Sequence, residues 1–587
     1  MKGLLLFSFT LFAQQSDIIY GRLRFRVAPP ERYLEAETEW HFRFVFGDTL
    51  VWDLGSGLTI EAIEASRPIR SLLHDTLHRK VYISLTDPLH GEHAWLRVRY
   101  SGIPRSSGFG SYEVKPHATG WCVWTLSQPY GAPDWLFCQD KLGDKIDSLD
   151  ICIITPDTLL GVANGKLLAD TTDGQGWRWR HFQHRYPIAP YLIAFAASNY
   201  IVQEYPVQTA HHQFILRNYV YPQDTDAARE LSERFLPYFQ RLEEWIGPYP
   251  FASEDYQQVQ IGWGGGMEHQ TITFFGRYSL ELWAHELAHQ WFGDWVTCGS
   301  WQDIWLNEAF ATYLGGAVYE ALAPEFWHRW LYLTIQAAWR DTTHSIFVED
   351  TTQIKRIFSY ATTYAKGAIA LHMLRLYVGD SLFWKGLRQY LLTYGGGFAR
   401  THDFQQAVQD VFGSSITEAF ILNWIYESHF PQAAVDWEDE KRCRVYPTAA
   451  YPMRVPIQIL TESGVVRETI DFMHGRQLLE LQSRALSWTI DPDTATPYWG
   501  WRSGTVAWKE GRLWPNPFSQ RVFLQMKGLC RAELYSTSGR LIEVYKREPQ
   551  DEPLMWELPN LTPGVYLLRM ESQGGTYSMH SLLALPP

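Results

Sequence analysis

The stretch His285-Glu286-Leu287-Ala288-His289, followed after eighteen intervening residues by Glu308 within Trp305-Leu306-Asn307-Glu308-Ala309, decides how this chain is read. Two histidines four apart on a helix stand one turn above the other on a single face, so both imidazoles reach one metal ion while Glu286 lies beside them. With Glu308 they make a His, His, Glu ligand set, which suits zinc. Three protein ligands leave the fourth tetrahedral position open, the mark of a catalytic rather than a structural site. The competing reading is a core helix, with Leu282, Leu287, Trp291 and Phe292 as its apolar face and the histidines hydrogen-bonded inside. That arrangement would bury two histidines and two glutamates near one another with nothing to compensate them, which is costly. The sequence therefore predicts one zinc ion per chain on His285, His289 and Glu308, with no second cluster.

At 587 residues the chain is too long for one core and predicts several domains. Hydrophobic content of 46% and 27 tryptophans describe a folded protein rather than a disordered one. Lysine and arginine number 51 against 64 aspartates and glutamates, a net charge of -13, which speaks against nucleic acid as a partner. The first residues, Met1 to Ala13, carry one lysine and then a short apolar run, too short to span a bilayer. They fit a secretory signal peptide over residues 1–16 and predict a secreted or cell-surface protein. No later segment is long and apolar enough for a membrane helix. The six cysteines are too scattered to read as a disulfide framework.

From residue 17 to 200 short alternating runs such as His41-Phe42-Arg43-Phe44-Val45-Phe46 and Trp95-Leu96-Arg97-Val98-Arg99-Tyr100, broken by Gly and Pro, predict an antiparallel sheet domain. Near Asp226 the period changes, with Leu231, Phe235, Phe239, Leu242 and Ile246 at helical spacing up to Gly247-Pro248. Helical signals then dominate to Tyr426, giving a catalytic domain over 201–434. Alternation returns in Arg454-Val455-Pro456-Ile457-Gln458-Ile459 and predicts a small β-sandwich over 435–503, then a last block of strands over 504–587. The expected fold class is multidomain α+β.

Gly264-Gly265-Gly266-Met267-Glu268-His269, seventeen residues before Glu286, resembles the glycine-x-methionine-glutamate-asparagine signature of zinc aminopeptidases of the aminopeptidase N and leukotriene hydrolase family. Further matches are Ser127-Gln128-Pro129-Tyr130-Gly131-Ala132, Phe137-Cys138-Gln139-Asp140, Asn164-Gly165-Lys166 and Tyr364-Ala365-Lys366-Gly367, so the resemblance covers roughly residues 20–500. It implies an N-terminal saddle-like sheet domain, a thermolysin-like catalytic domain and a small sandwich. The large helical domain that often follows in that family does not follow here, which predicts a more open mouth. His269 stands where the family most often has asparagine, and a histidine still offers a donor. Trp514-Pro515-Asn516-Pro517-Phe518, Glu533 to Arg540 and Leu561 to Leu568 resemble the C-terminal sorting domain of type IX secretion, which implies the bacterial outer-membrane secretion machinery as a partner.

The resemblance implies hydrolysis of the N-terminal bond of peptides with a free amine. Zinc lowers the pKa of a water toward ~7, Glu286 takes its proton as general base, and a tyrosine phenol stabilises the oxyanion. Tyr364 matches the family position, with Tyr360 one helical turn earlier as the competitor. Glu268 and Gln128 are the candidates for holding the substrate ammonium. Gly264, Gly265, Gly266 and Met267 complete the substrate-binding set, the glycines letting the substrate backbone lie alongside as an added strand. The rivals are a thermolysin-like endopeptidase, a non-catalytic binding scaffold and epoxide hydrolysis, the last disfavoured without the helical domain.

Overall fold

Alternation along residues 34–44 buries Leu34, Ala36, Thr38, Trp40, Phe42 and Phe44 and turns Glu35, Arg43 and their neighbours outward, so this run forms a strand with one wet face. The computed structural model describes residues 16–584 apart from 45, 493–495, 499–502, 506–511, 515–520, 527–528, 537–539, 551–553, 559–560, 562–563 and 574–576. The expected leader lies outside the described residues, save its last position. Two compact units result, Met1–Glu427 and Ser428–Pro587.

The first unit begins with a seven-stranded sheet in the order Lys166–Thr172, Trp177–His184, Leu149–Pro156, Ser16–Val27, Leu34–Phe44, His93–Gly102 and Leu58–Ala65. It is antiparallel except where Ser16–Val27 runs parallel to Leu149–Pro156. That pair departs from the expected all-antiparallel pattern because the long excursion between them, which itself forms strands, provides the crossover a parallel pair needs. Behind the sheet Phe137 stacks on Trp52 at 5.1 Å and its carbonyl accepts from Trp40 Nε1 at 2.9 Å. The Phe137 to Asp140 motif is thus part of a core.

A mixed five-stranded sheet follows: β1 (Ile201–Gln208), β2 (Gln213–Val220), β3 (Tyr256–Gln260), β4 (Gly266–Met267) and β5 (Ile272–Phe275), in the order β1-β2-β3-β5-β4. The two-residue strand β4 is an edge. The helical run expected from Leu231 to Ile246 folds as two helices, α1 (Thr225–Phe235) and α2 (Pro237–Ile246). Pro237 lacks a backbone N–H and so opens a new helix rather than continuing the old one. Helices α3 (Leu280–Ala288) and α4 (Trp305–Leu322) carry the metal motif, and Tyr360–Lys366 winds as a π-helix before α5 (Gly367–Val378). Among the described residues no helix is long and apolar enough to cross a membrane.

Among the described residues, the regular elements of the second unit are all strands. Sheets of three and four strands cover Ala433–Thr505, and further sheets of three and four strands cover Arg512–Ala584. Within the last block Val522, Leu524, Leu534, Trp556, Leu568 and Met570 form one apolar core drawn from both of its sheets. All six cysteines are free.

Candidate active site

Helix α3 starts at Ser279, whose hydroxyl accepts the Leu282 backbone N–H at 3.3 Å and satisfies one of the donors a helix start leaves open. The helix carries His285 and Glu286, and His289 closes it while still in right-handed helical backbone. Glu308 lies in the first turn of α4. The two helices meet at Gly315, where an added Cβ would stand 3.0 Å from the Cβ and 3.1 Å from the Cα of His285. That close approach sets the ligand geometry. His285 Nε2 and His289 Nε2 are 3.1 Å apart, and Glu308 Oε2 lies 3.4 Å and 3.3 Å from them.

His289 Nδ1 donates to the Phe292 carbonyl at 2.9 Å, which fixes the ring and leaves Nε2 facing His285 and Glu308. Burial opposes charge on both His289 and Glu308, yet the charges of Glu268 and then Glu308 raise the imidazole, and His289 lowers the Glu308 carboxyl. Two imidazole nitrogens and a carboxylate oxygen closing on one point are a donor set that fits zinc. A second grouping, Glu268, Glu286 and His289, was not foreseen from the sequence. It shares His289, whose single outward nitrogen already belongs to the first set.

Glu286 projects from α3 onto β4, where a Cβ on Gly266 would lie 2.6 Å from its carboxyl carbon, so a larger residue there would displace the Glu286 side chain. Its Oε2 has no hydrogen-bond partner among the described residues, and burial pushes the carboxyl well above the usual carboxylate range. Gln128 Nε2 donates to Glu268 Oε1 at 2.8 Å, and both side chains are buried. Burial pushes Glu268 up to about 7. The loop that follows is held from three sides: Gln290 donates to the Glu268 carbonyl at 3.3 Å and accepts the Thr271 N–H at 2.9 Å, Asn164 donates to the Gln270 carbonyl at 2.7 Å, and Gly165 N–H reaches the Thr271 hydroxyl at 2.8 Å. These bonds hold Thr271 at φ +65°, a backbone that a β-branched residue rarely adopts. They also account for the Asn164-Gly165 match.

One cavity of about 460 Å³ gathers Gln128, Gly266, Met267, Glu268, the three ligands, Glu286, Tyr360 and Tyr364. Gly264 and Gly265 do not line it, contrary to expectation. They belong to the turn before β4, where the Gly265 carbonyl is already taken by the Gly276 N–H at 2.8 Å. The Tyr364 ring lies nearly parallel to that of His285, centroids 6.1 Å apart. Burial, then the charges of Glu308 and Glu268, keep its phenol protonated. Tyr360 is 55% exposed and its charged neighbours are Glu281, Arg277 and Arg340.

His269 does not act as the expected donor. Its ring is fully buried edge-on to Phe274 at 4.5 Å, neither nitrogen has a partner among the described residues, and burial pulls its pKa down to about 3. Reading from the sequence also missed Gln290, Gly315 and Glu281. Gln290 beside His289 carried no signal, whereas the Gly315-Gly316 pair inside an otherwise apolar helix could have flagged a close helix crossing.

Residues 243–424 match the peptidase family M1 domain, and residues 512–583 match the secretion system C-terminal sorting domain. The chain is 29% identical over 227 residues to leucyl aminopeptidase of Saccharolobus solfataricus, covering 36% of this chain and 28% of that protein. It is 34% identical over 411 residues to probable aminopeptidase 1 of Sulfurisphaera tokodaii, covering 65% of this chain and 50% of that protein. It spans half or less of the length of these curated relatives. Among solved structures, an M1 zinc metallopeptidase from Deinococcus radiodurans superposes with a TM-score of 0.61 at 25% identity, over 71% of this chain and 94% of that one. A two-domain M1 zinc metallopeptidase bound to L-tryptophan gives 0.61 at 25% identity, over 71% and 95%.

Proposed function

We propose that this chain, which carries a peptidase family M1 domain, is an exported zinc aminopeptidase that removes the first residue of peptides. The observation that carries the proposal is the joining of two independent elements in one cavity: a His285, His289, Glu308 ligand set and, beside it, the Gln128–Glu268 pair suited to an ammonium. An endopeptidase needs the first but has no use for a buried acidic stop next to it. Each domain span read from the sequence stays part of this proposal, with residues 1–16 as leader and the last block as the export signal toward the outer-membrane machinery. The sorting-domain match supports that block.

His285, His289 and Glu308 would hold one zinc ion, which supplies Lewis acidity toward a carbonyl and makes water acidic near neutral pH. Glu268 and Gln128 bind the substrate ammonium with charge-assisted hydrogen bonds and stop the chain from threading deeper. The free edge of β4 lines the peptide backbone up as an added strand. Glu286 takes a proton from the attacking water and returns it to the leaving amine, a task that suits a carboxyl raised by burial. Tyr364, kept protonated, donates its hydroxyl to the developing oxyanion. An apolar wall of Phe109, Leu126, Trp263, Met267 and Phe358 beside the amine end fits an aliphatic or aromatic first side chain, in keeping with the L-tryptophan bound by a structural relative.

Aminoacyl amides of leucine, phenylalanine and tryptophan, each with a free and with an acetylated amine, test this in the presence and absence of a chelator. Cleavage of the free-amine compounds alone, lost on chelation and restored by one equivalent of zinc, is expected. Equal cleavage of the acetylated compounds points to the endopeptidase, and no cleavage with no bound metal to a scaffold.

A further inference from the structure

The cavity holds a charge that neither the metal centre nor the amine end uses. Glu281, His285 and His289 are spaced four apart on α3 and so form one row along the helix. Glu268 belongs at the His289 end of that row, since its carboxylate lies within 4.8 Å of the ligand atoms of His289 and Glu286. Glu281 stands at the other end, one turn beyond His285, and lines the cavity with Ser279, Leu282 and Thr312. Its carboxylate is fixed in place: Trp330 Nε1 donates to one oxygen at 2.9 Å and the Tyr319 hydroxyl to the other at 3.3 Å. Both oxygens keep a lone pair for a further donor. Arg277 also lines the cavity but is exposed, and among the described residues no ion pair joins it to Glu281.

A substrate held by its ammonium at Glu268 reaches the metal with its first carbonyl, one residue along. The next residue therefore lies past the metal on the Glu281 side. A peptide advances about 3.5 Å per residue and successive members of the row are separated by about 6 Å, so a long side chain on the second residue spans the remaining gap. We infer that Glu281 selects the residue after the scissile bond and that the enzyme prefers lysine or arginine there. The inference rests on the aminopeptidase reading with Glu268 as the amine site. A fixed, partly buried carboxylate rejects an acidic side chain by repulsion and favours a cation by a charge-assisted bond, while the solvated Arg277 is screened.

Three peptides that share their first and third residues and carry lysine, leucine or glutamate second provide the test, with released first residue as the readout. Wild-type kcat/KM is expected to fall in the order lysine, leucine, glutamate, with lysine over leucine by roughly 5-fold or more, the scale of one partly exposed charged bond. Glu281→Gln should bring that ratio near unity and Glu281→Lys should invert it toward glutamate. The ratio within each variant is insensitive to a loss of folded enzyme. Equal rates for the three peptides in the wild type, or a lysine preference surviving in Glu281→Gln, would overturn this inference alone. Release of internal fragments in place of the first residue would overturn the aminopeptidase reading with it.

Discussion

At the metal end of the cavity His285, His289 and Glu308 come from one short stretch of chain, while at the amine end Gln128 and Glu268 meet across 140 residues of sequence. The first end is built by helical period and one close helix contact at Gly315. The second is built by hydrogen bonds from Asn164, Gly165 and Gln290 that pin the loop joining β4 to β5. A helix keeps its side chains in register by itself, but the amine end exists only when distant segments are folded together. Substitutions at the metal end should therefore strike the chemical step, and those at the amine end should strike recognition.

The largest effect should come from Glu286→Gln, which keeps the ligand set and removes the proton acceptor. Turnover is expected to drop by roughly 10²- to 10⁴-fold with the metal content intact, measured by steady-state kinetics beside metal analysis. Near-normal turnover would remove Glu286 from the mechanism. Next, Tyr364→Phe should lower kcat by about 10²-fold with KM little changed, because the oxyanion exists only near the transition state. A silent Tyr364→Phe with a damaged Tyr360→Phe would move the role one turn earlier.

At the amine end Glu268→Ala should cost roughly 10- to 100-fold in kcat/KM on free-amine substrates, the scale of a lost hydrogen bond to a charged group. Acetylated substrates should lose far less from the same change. Equal losses on both would mean that Glu268 and the amine are uncoupled, and the contrast between the two ends would collapse.

The smallest effect on catalysis and the clearest on stability belongs to His269. Its folded pKa of about 3 lies below the ordinary value of 6.5, so between those pH values the unfolded chain binds the extra proton and stability falls as pH falls. At pH 5 this amounts to about 2 kcal/mol. His269→Phe, which suits the packing on Phe274, should flatten the loss of Tm on acidification from pH 6.5. An unchanged acid slope would place the sensitive group elsewhere.

How much of this was legible follows from the same contrast. That His285, Glu286 and His289 share one face could be read from spacing alone, because a helix converts spacing into geometry, whereas Glu308 joins them only through the helix contact at Gly315. Tyr364, Gln128 and Glu268 could be picked out only through resemblance, since nothing local to Gln128 says what it will face 140 residues on. The alternating runs foretold the N-terminal sheet, but not that Ser16–Val27 would pair in parallel with Leu149–Pro156, because period two is the same in either direction. His269 was misjudged because a histidine within a motif looks like a donor, and only its burial shows an apolar packing role. Glu281 had no signal at all, as a glutamate in the first turn of a helix is ordinary there.

The edge strand β4 has a consequence for association between molecules. An unpaired strand edge invites neighbouring chains to add to it, the route by which sheet proteins aggregate. Here the edge is two residues long and opens into a cavity of about 460 Å³. A strand that belongs to a folded neighbour cannot enter without unravelling, whereas the loose end of a peptide can. The shortness of β4 thus offers little template to a second copy of the chain, and under the proposed function it would admit only peptides whose first residues are free.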